Sequence, residues 1–315
     1  MATLNQTIQD NTAVSNKLTA EVAEFYSKTL LSRLIPELRF AKYASKPSMT
    51  KIPKRAGDKI SFRRINSLAL VTSALTEGVT PDGQNLSISK IDTTVVQYGG
   101  WVSITDLVDM VALDPIITET AEVLGEQAGQ SIEKIIADVI FAGTEVLYAG
   151  AGAARAAVAT TISAADILAA TAMLKKANVK PLEGGDYVAF VPIKVAHDIM
   201  QLSEWVTANT YRHDGLVQGE IGKLYGVRFI EVPENFATVY ANAAGTGTLD
   251  VYASLFIGKD YFGIADVEGS AKPEMIVKPL GSGDDPLNQR ATVGWKTLFS
   301  VKRMNESCGV RLETL

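Results

Sequence analysis

Apolar positions recur with helical spacing between residues 114 and 143. Ile117, Ala121, Leu124, Ala128, Ile132, Ile135 and Val139 step by four, three, four, four, three and four residues, so they fall on one stripe. Asp114 is placed to cap the start, Pro115 takes the first helical position, and Gly143 stands just past the end. The pattern predicts one continuous helix about 40 Å long, a spine for other elements to pack on. Glu119, Glu122, Glu126 and Glu133 fall mostly off the stripe and are expected on a solvated face.

Upstream, Leu18, Val22, Phe25, Leu30 and Leu34 sit near helical spacing and stop before Pro36, which predicts an amphipathic helix reached by a polar arm. The period then changes to two. Ile60 and Phe62 alternate with Ser61 and Arg63 after a turn at Ala56, Gly57 and Asp58, and a second strand-like run covers 90–106. Between the two lies the turn-rich "TEGVTPDGQN". Residues 48–98 therefore read as an extended two-stranded arm with a loose tip, and a long connection with so little core of its own is usually functional or anchored on a partner.

After the spine the pattern alternates between helix and strand. Residues 149–160, "AGAGAARAAVAT", have the composition of a linker or flexible loop. Ser163 caps "SAADILAATAMLKKAN" with Asp166 at the capping-box position. There follow the strand "YVAFV" at 187–191, a helix opened by Pro192, and the strand-like runs "GVRFIEV", "VYASLFIGKDYFGI" and "MIVKPL", which predict a compact mixed lobe. Residues 291–302 are rich in aromatic and β-branched side chains, enough for one or two more strands.

Gly219, Gly222 and Gly226 in "GEIGKLYGVRFIEVPEN" pose a choice between a phosphate cradle and a structural turn. A phosphate loop needs Ser or Thr after its Lys to hold a metal ion, and here Leu224 follows Lys223. The segment also runs into a strand instead of opening a helix, so the glycines are read as a turn feeding that strand.

Composition and charge narrow the function classes. The chain has 315 residues, 47% hydrophobic and 21% charged, which places it with ordinary globular proteins and not with disordered ones. Its net charge of −5 is split: residues 1–64 carry 12 Lys or Arg against 5 Asp or Glu, and the rest carries 18 against 30. Lys51, Lys54, Arg55, Lys59, Arg63 and Arg64 form a basic cluster suited to an acidic polymer or to the acidic surface of another copy of the chain, and equally to a plain solvated face. Phe62 is the one aromatic close to it, so stacking on bases is a poor fit and non-specific contact with nucleic acid is the most it implies.

The single Cys308 excludes an internal disulfide and a cysteine zinc cluster. His197 reads as a helix residue, His213 and the pair Asp284 and Asp285 as turn residues, and no serine elbow is present. No enzyme, metal site or cofactor is expected. The N-terminus has no apolar signal region and no segment reaches the length of a membrane span, so the protein is expected to stay in the cytoplasm where it is made, with no membrane partner.

The order of parts, with "GGWVSITDLVDMVALDPI" leading into the spine, "GEIGKLYGVRFIEVPEN" in the lobe and "VGWKTLFSVKRMNE" near the end, resembles the major capsid proteins of tailed phages. It resembles in particular the branch related to the coat protein of the Escherichia phage N-four. The resemblance implies the Hong Kong 97-type α+β fold: N-terminal arm 1–47, E-loop 48–98, P-domain 99–177 with the spine helix, A-domain 178–271, P-domain strands 272–302, and a C-terminal strand 303–315 returning to the A-domain. It further implies a coat subunit that self-assembles into hexamers and pentamers of an icosahedral head around double-stranded DNA, formed in the host cytoplasm. Scaffolding, portal and decoration proteins are the partners such a shell brings. Two alternatives remain at this point, an encapsulin-like shell carrying protein cargo and, from another class, a phosphate-binding enzyme using residues 219–226.

Overall fold

A computed structural model of the chain describes residues 39–45, 51–52, 59–66, 68–74, 77–78, 80, 82–111, 116–182, 184–210, 220–241, 249–267, 273–279, 287 and 289–315. The helix expected over 17–35, the turn at 56–58 and the cap at Asp114 and Pro115 lie outside these residues.

In chain order, a 3-10 turn at Phe40–Tyr43 precedes strand β1 (Lys51–Ile52) and the hairpin β2 (Lys59–Ile65) and β3 (Ile88–Thr94). Strand β4 (Val96–Thr105) and a short helix, Asp106–Val111, lead to the spine helix Ile116–Phe141. Beyond it come β5 (Val146–Tyr148), a helix Ala164–Lys176, β6 (Tyr187–Pro192) and two helices, Ile193–Met200 and Ser203–Thr210. Strands β7 (Glu220–Leu224), β8 (Val227–Val232), β9 (Val239–Ala241), β10 (Asp250–Ile257), β11 (Phe262–Val267), β12 (Glu274–Lys278), β13 (Arg290–Arg303) and β14 (Gly309–Thr314) complete it.

Two sheets flank the spine helix. In the five-stranded sheet β13 is central: β4 pairs along one edge from Arg290 to Phe299, and β12 and β11 share the other. The seven-stranded sheet of the lobe runs β5-β14-β10-β6-β8-β7, with β9 on β10. The N-terminal half of the spine lays Ala121, Leu124 and Ala128 on Ile104, Val293 and Trp295 of the first sheet. Its C-terminal half enters the lobe core, where Ile136, Ala137, Ile140 and Phe141 are fully buried.

Burial therefore shifts along the helix, and the expected stripe residues Ile132, Ile135 and Val139 are only half-buried. The cause is a change of neighbour: the first half meets one sheet, and the second is enclosed from more directions. Glu133, expected in solvent, is fully buried because the turn Phe40–Tyr43 covers it and supplies backbone amides to its carboxylate. The stretch 149–160 is also not a loose linker. It holds two 3-10 turns and the buried side chain of Val158, and Arg155 clamps the carboxylate of Glu313 with Nε and Nη2 at 2.6 and 2.7 Å.

Two expected boundaries do not follow the sheets. The segment 99–177 gives β5 to the lobe sheet, since Arg311–Glu313 of β14 pair with Val146–Tyr148. The segment 178–271 loses β11 to the five-stranded sheet, where Phe262–Asp266 pair with Phe299–Arg303. The run that holds β11 reads as strand from its pattern and the three-residue β5 does not, and for both the partner strand is set by contacts distant in sequence. The expected run 291–302 is one 14-residue strand, and β14 joins the lobe sheet between β5 and β10.

Candidate assembly surfaces

The hairpin β2-β3 carries most of the described basic cluster. Ile60 and Phe62 face inward onto Ala265, with Ile91, Val95 and Met304 at the margin. Period two then sends Lys59, Ser61 and Arg63 to the opposite face, and Lys59 and Arg63 are exposed. Lys90 pairs with Asp92 at 3.3 Å, and the Ser61 hydroxyl holds the Asp92 carboxyl below its usual range. Arg64 is on the inward side, where its guanidinium donates to Asn305 Oδ1 at 2.8 Å. The six predicted cations are thus divided: Arg64 anchors the hairpin to its own subunit, Lys59 and Arg63 face away, Lys51 is placed by its backbone in β1, and Lys54 and Arg55 lie outside the described residues.

Toward its tip the hairpin leaves the body, and apolar side chains stay in water: Ile65, Leu68, Val71, Leu86, Ile88 and, at 90% exposure, Leu70. Exposed apolar runs of this kind on a segment with little packing are characteristic of interaction surfaces.

A second surface lies along β4 and the spine helix. Trp101 is 71% exposed and Val123, on the spine helix, 66%. With Val102 and Leu124 they line a groove of about 640 Å³ between β4 and the helix, rimmed by Glu119 and Glu126. Trp101 sits opposite Gly294 of β13, where a Cβ would come within 2.8 Å of the Trp101 Cβ, so the glycine permits this close approach. The edge of β4 away from β13 has no partner strand among the described residues. Sequence pattern alone did not single out Trp101 or Val123; the signal was the glycine pair placed directly before a tryptophan on an alternating strand.

The described part of the glycine segment is a strand and the turn that follows it. Tyr225 at φ +52° and Gly226 at φ +78° form a two-residue turn joining β7 to β8, in which Leu224 pairs with Val227. Gly222 lies within β7 beside a register shift, and Gly219 lies outside the described residues. The β7 backbone is committed to the ladder, and Lys223 pairs with Asp186 at 3.0 Å.

The remaining candidates for chemistry are placed as follows. His197 is exposed, with Nδ1 2.9 Å from Gln201 Nε2, while His213, Asp284 and Asp285 lie outside the described residues. Cys308 is buried, and burial pushes its thiol up, away from the reactive thiolate. Among the described residues no cluster of His, Cys, Asp and Glu could hold a metal ion, and no helix is long and apolar enough to cross a membrane.

Residues 88–308, more than half of the chain, match the family model of phage capsid proteins. The chain belongs to the phage capsid protein family. A comparison with curated protein sequences finds no match. Among solved structures, the capsid of Ralstonia phage GP4 is similar with a TM-score of 0.66 at 16% identity, over 85% of this chain and 86% of that one. The capsid of cyanophage Pam1 is similar at 0.61 and 18% identity, over 89% and 92%. The head of Helicobacter pylori bacteriophage KHP40 is similar at 0.63 and 13% identity, over 87% and 91%. At such identities the likeness establishes the fold, the Hong Kong 97-type α+β fold of tailed-phage capsids. As a phage capsid protein the chain is a structural, non-enzymatic component of the virion shell, the major coat subunit of a phage head, and it works as part of a multimer.

Proposed function

We propose that this capsid protein builds an icosahedral head of hexamers and pentamers around double-stranded DNA by laying the hairpin of one copy into the β4 groove of the next. The observation that carries this reading is complementarity. The hairpin offers exposed apolar side chains flanked by Lys59 and Arg63, and the groove offers Trp101, Val102 and Val123 flanked by Glu119 and Glu126. A lone two-stranded hairpin is marginal in water, and a neighbouring copy supplies the surface it lacks. In this scheme residues 1–47 and 48–98 are the arm and E-loop that reach between subunits. The seven-stranded lobe serves as the A-domain, the five-stranded sheet with the spine helix serves as the P-domain, and the chain sits in the branch related to the phage N-four coat protein. Scaffolding, portal and decoration proteins and non-specific contact of basic residues with DNA belong to the same proposal, as does assembly in the host cytoplasm.

Electron microscopy with light scattering on the full chain tests it. Shells, tubes or capsomer rings are expected from the native chain. Reversing Lys59 and Arg63 to Glu is expected to leave folded subunits that no longer form them, because attraction to the acidic rim becomes repulsion. Normal shells from that double variant would refute the charge pairing, and protein cargo in place of nucleic acid inside native particles would favour an encapsulin-like compartment.

A further inference from the structure

Strand β4 pairs with β13 on one side, and the direction of its backbone groups alternates. The Asp106 amide donates to the Gln289 carbonyl at 3.0 Å, one step beyond the opposed pair Thr105 and Arg290. In an antiparallel ladder every second pair bonds in this way, so Tyr98, Gly100, Val102 and Ile104 also turn their amides and carbonyls toward β13. Those of Gln97, Gly99, Trp101 and Ser103 then point to the free edge, and these residues are all exposed.

Free edges are normally blunted by charge, proline, shortness or a bulge. Among the described strands, β12 carries Glu274 and Lys278, β7 carries Glu220 and Lys223 with a register shift, and β5 has three residues. β4 runs for ten residues, "VQYGGWVSIT", with no charge and no proline. It has the features of an edge that takes a strand from another chain.

The chain also carries a segment suited to that edge. Residues 68–74, "LALVTSA", are exposed throughout, carry no charge and no proline, and pair with no strand among the described residues. Leu68, Leu70 and Val71 leave their side chains in water. Their own β4 is out of reach. Val96 at its start is opposite Phe299, whereas Thr93 meets Ser300, Phe62 lies at Gly263 opposite Lys302, and Arg64 reaches Asn305. Each step up the hairpin therefore leads away from β4.

We propose that residues 68–74 of a neighbouring copy add a strand to the free edge of β4. This rests on the docking scheme above and specifies the bonding within it: main-chain hydrogen bonds to Gln97, Gly99, Trp101 and Ser103 hold the hairpin in place. At about 3.3 Å per residue, 68–74 matches the run 97–103 in length. Alternation puts Leu68 and Leu70 on one face of the added strand and Val71 on the other. β4 divides its apolar groups in the same way, with Trp101 on one face and Val102, beside Val123, on the other.

Hydrogen exchange at single-amide resolution, on particles of the native chain, reads the pairing. The Gln97, Gly99, Trp101 and Ser103 amides are expected to exchange on the order of 10²-fold below their intrinsic rates. Intrinsic rates there overturn the proposal. Single prolines identify the donor, because only every second amide of an added strand bonds to β4 and proline has none. Ala69→Pro and Val71→Pro are expected to act alike and Leu70→Pro oppositely, one class losing shells in electron microscopy and the other keeping them. Shells from all three variants, or from none, overturn it. Ser103→Pro removes a free-edge amide without touching the ladder to β13, and is expected to unfold in denaturant like the native chain yet form no shells. Native shell yield from it overturns the proposal; if it does not fold, the prolines in 68–74, already in water in the subunit, decide. The Lys59→Glu, Arg63→Glu chain separates the two readings. Shells lost there but indifferent to the prolines sink the added strand alone, whereas normal shells there refute the charge pairing.

Discussion

Strands β6 and β3 differ by one residue in length and are opposite in burial. Every residue of β6 is buried, whereas β3 alternates between exposed and half-buried. β6 lies between β8 and β10 inside the lobe sheet, and among the described residues β3 has β2 as its one paired strand. The lobe therefore holds its strands with contacts from its own chain. The hairpin packs one narrow strip, Ile60 and Phe62, on Ala265 of β11 and leaves the apolar side chains toward its tip exposed. In the proposed assembly one subunit combines a lobe packed on its own chain with a hairpin that its neighbour completes, and the two should fail differently when mutated.

The largest effect on the subunit is expected at Glu313, which is fully buried and bonded to Arg155 and, at 3.0 Å, to Arg311 Nε. Arg155 also lies 3.5 Å over the ring of Tyr240, and Arg311 Nη1 donates to the Phe141 carbonyl. Glu313→Ala leaves a buried guanidinium without its anion and should cost about 3–5 kcal/mol in denaturant unfolding. A loss within error would show that the lobe does not depend on this clamp. Next comes Gly226→Val, which forces a β-branched residue to φ +78°. It should cost about 1–3 kcal/mol, measured the same way, and an unchanged midpoint would mean that the β7-β8 turn adopts another form.

The smallest effect on the subunit is expected in the hairpin. Leu70→Asp with Val71→Asp should change unfolding by no more than about 0.5 kcal/mol, since both side chains are already in water. The same pair should abolish particle formation in light scattering. A destabilised subunit would show that the hairpin tip packs on its own chain, and normal particles would show that no neighbour uses it.

The spine helix and strand β2 were legible because hydrophobic positions recur in them with a fixed period, and β6 and β8 because they are runs of β-branched and aromatic residues; both signals are local. The capping box at Ser163 was legible for the same reason: its two partners are three residues apart, and Ser163 Oγ accepts from the Asp166 amide as that spacing requires. Sheet membership was not. β5 and β11 look like any short strand, and their partners are set by contacts far away in the sequence. The basic hairpin stood out by charge, but its division between Arg64, tied to Asn305, and the outward Lys59 and Arg63 depends on which face meets the body.

From sequence alone came the helical spine, the strand pattern of the hairpin and the split of charge, all properties of neighbouring residues or of composition. Tertiary structure alone decided that Glu133 is dry, that Arg155 is bound to Glu313, and that Trp101 and Val123 share a groove. The members of each of those groups lie far apart along the chain, Glu133 from Phe40 by 93 positions and Arg155 from Glu313 by 158. Hydration and pairing depend on what lies within a few ångströms in space, and local periodicity carries no record of that.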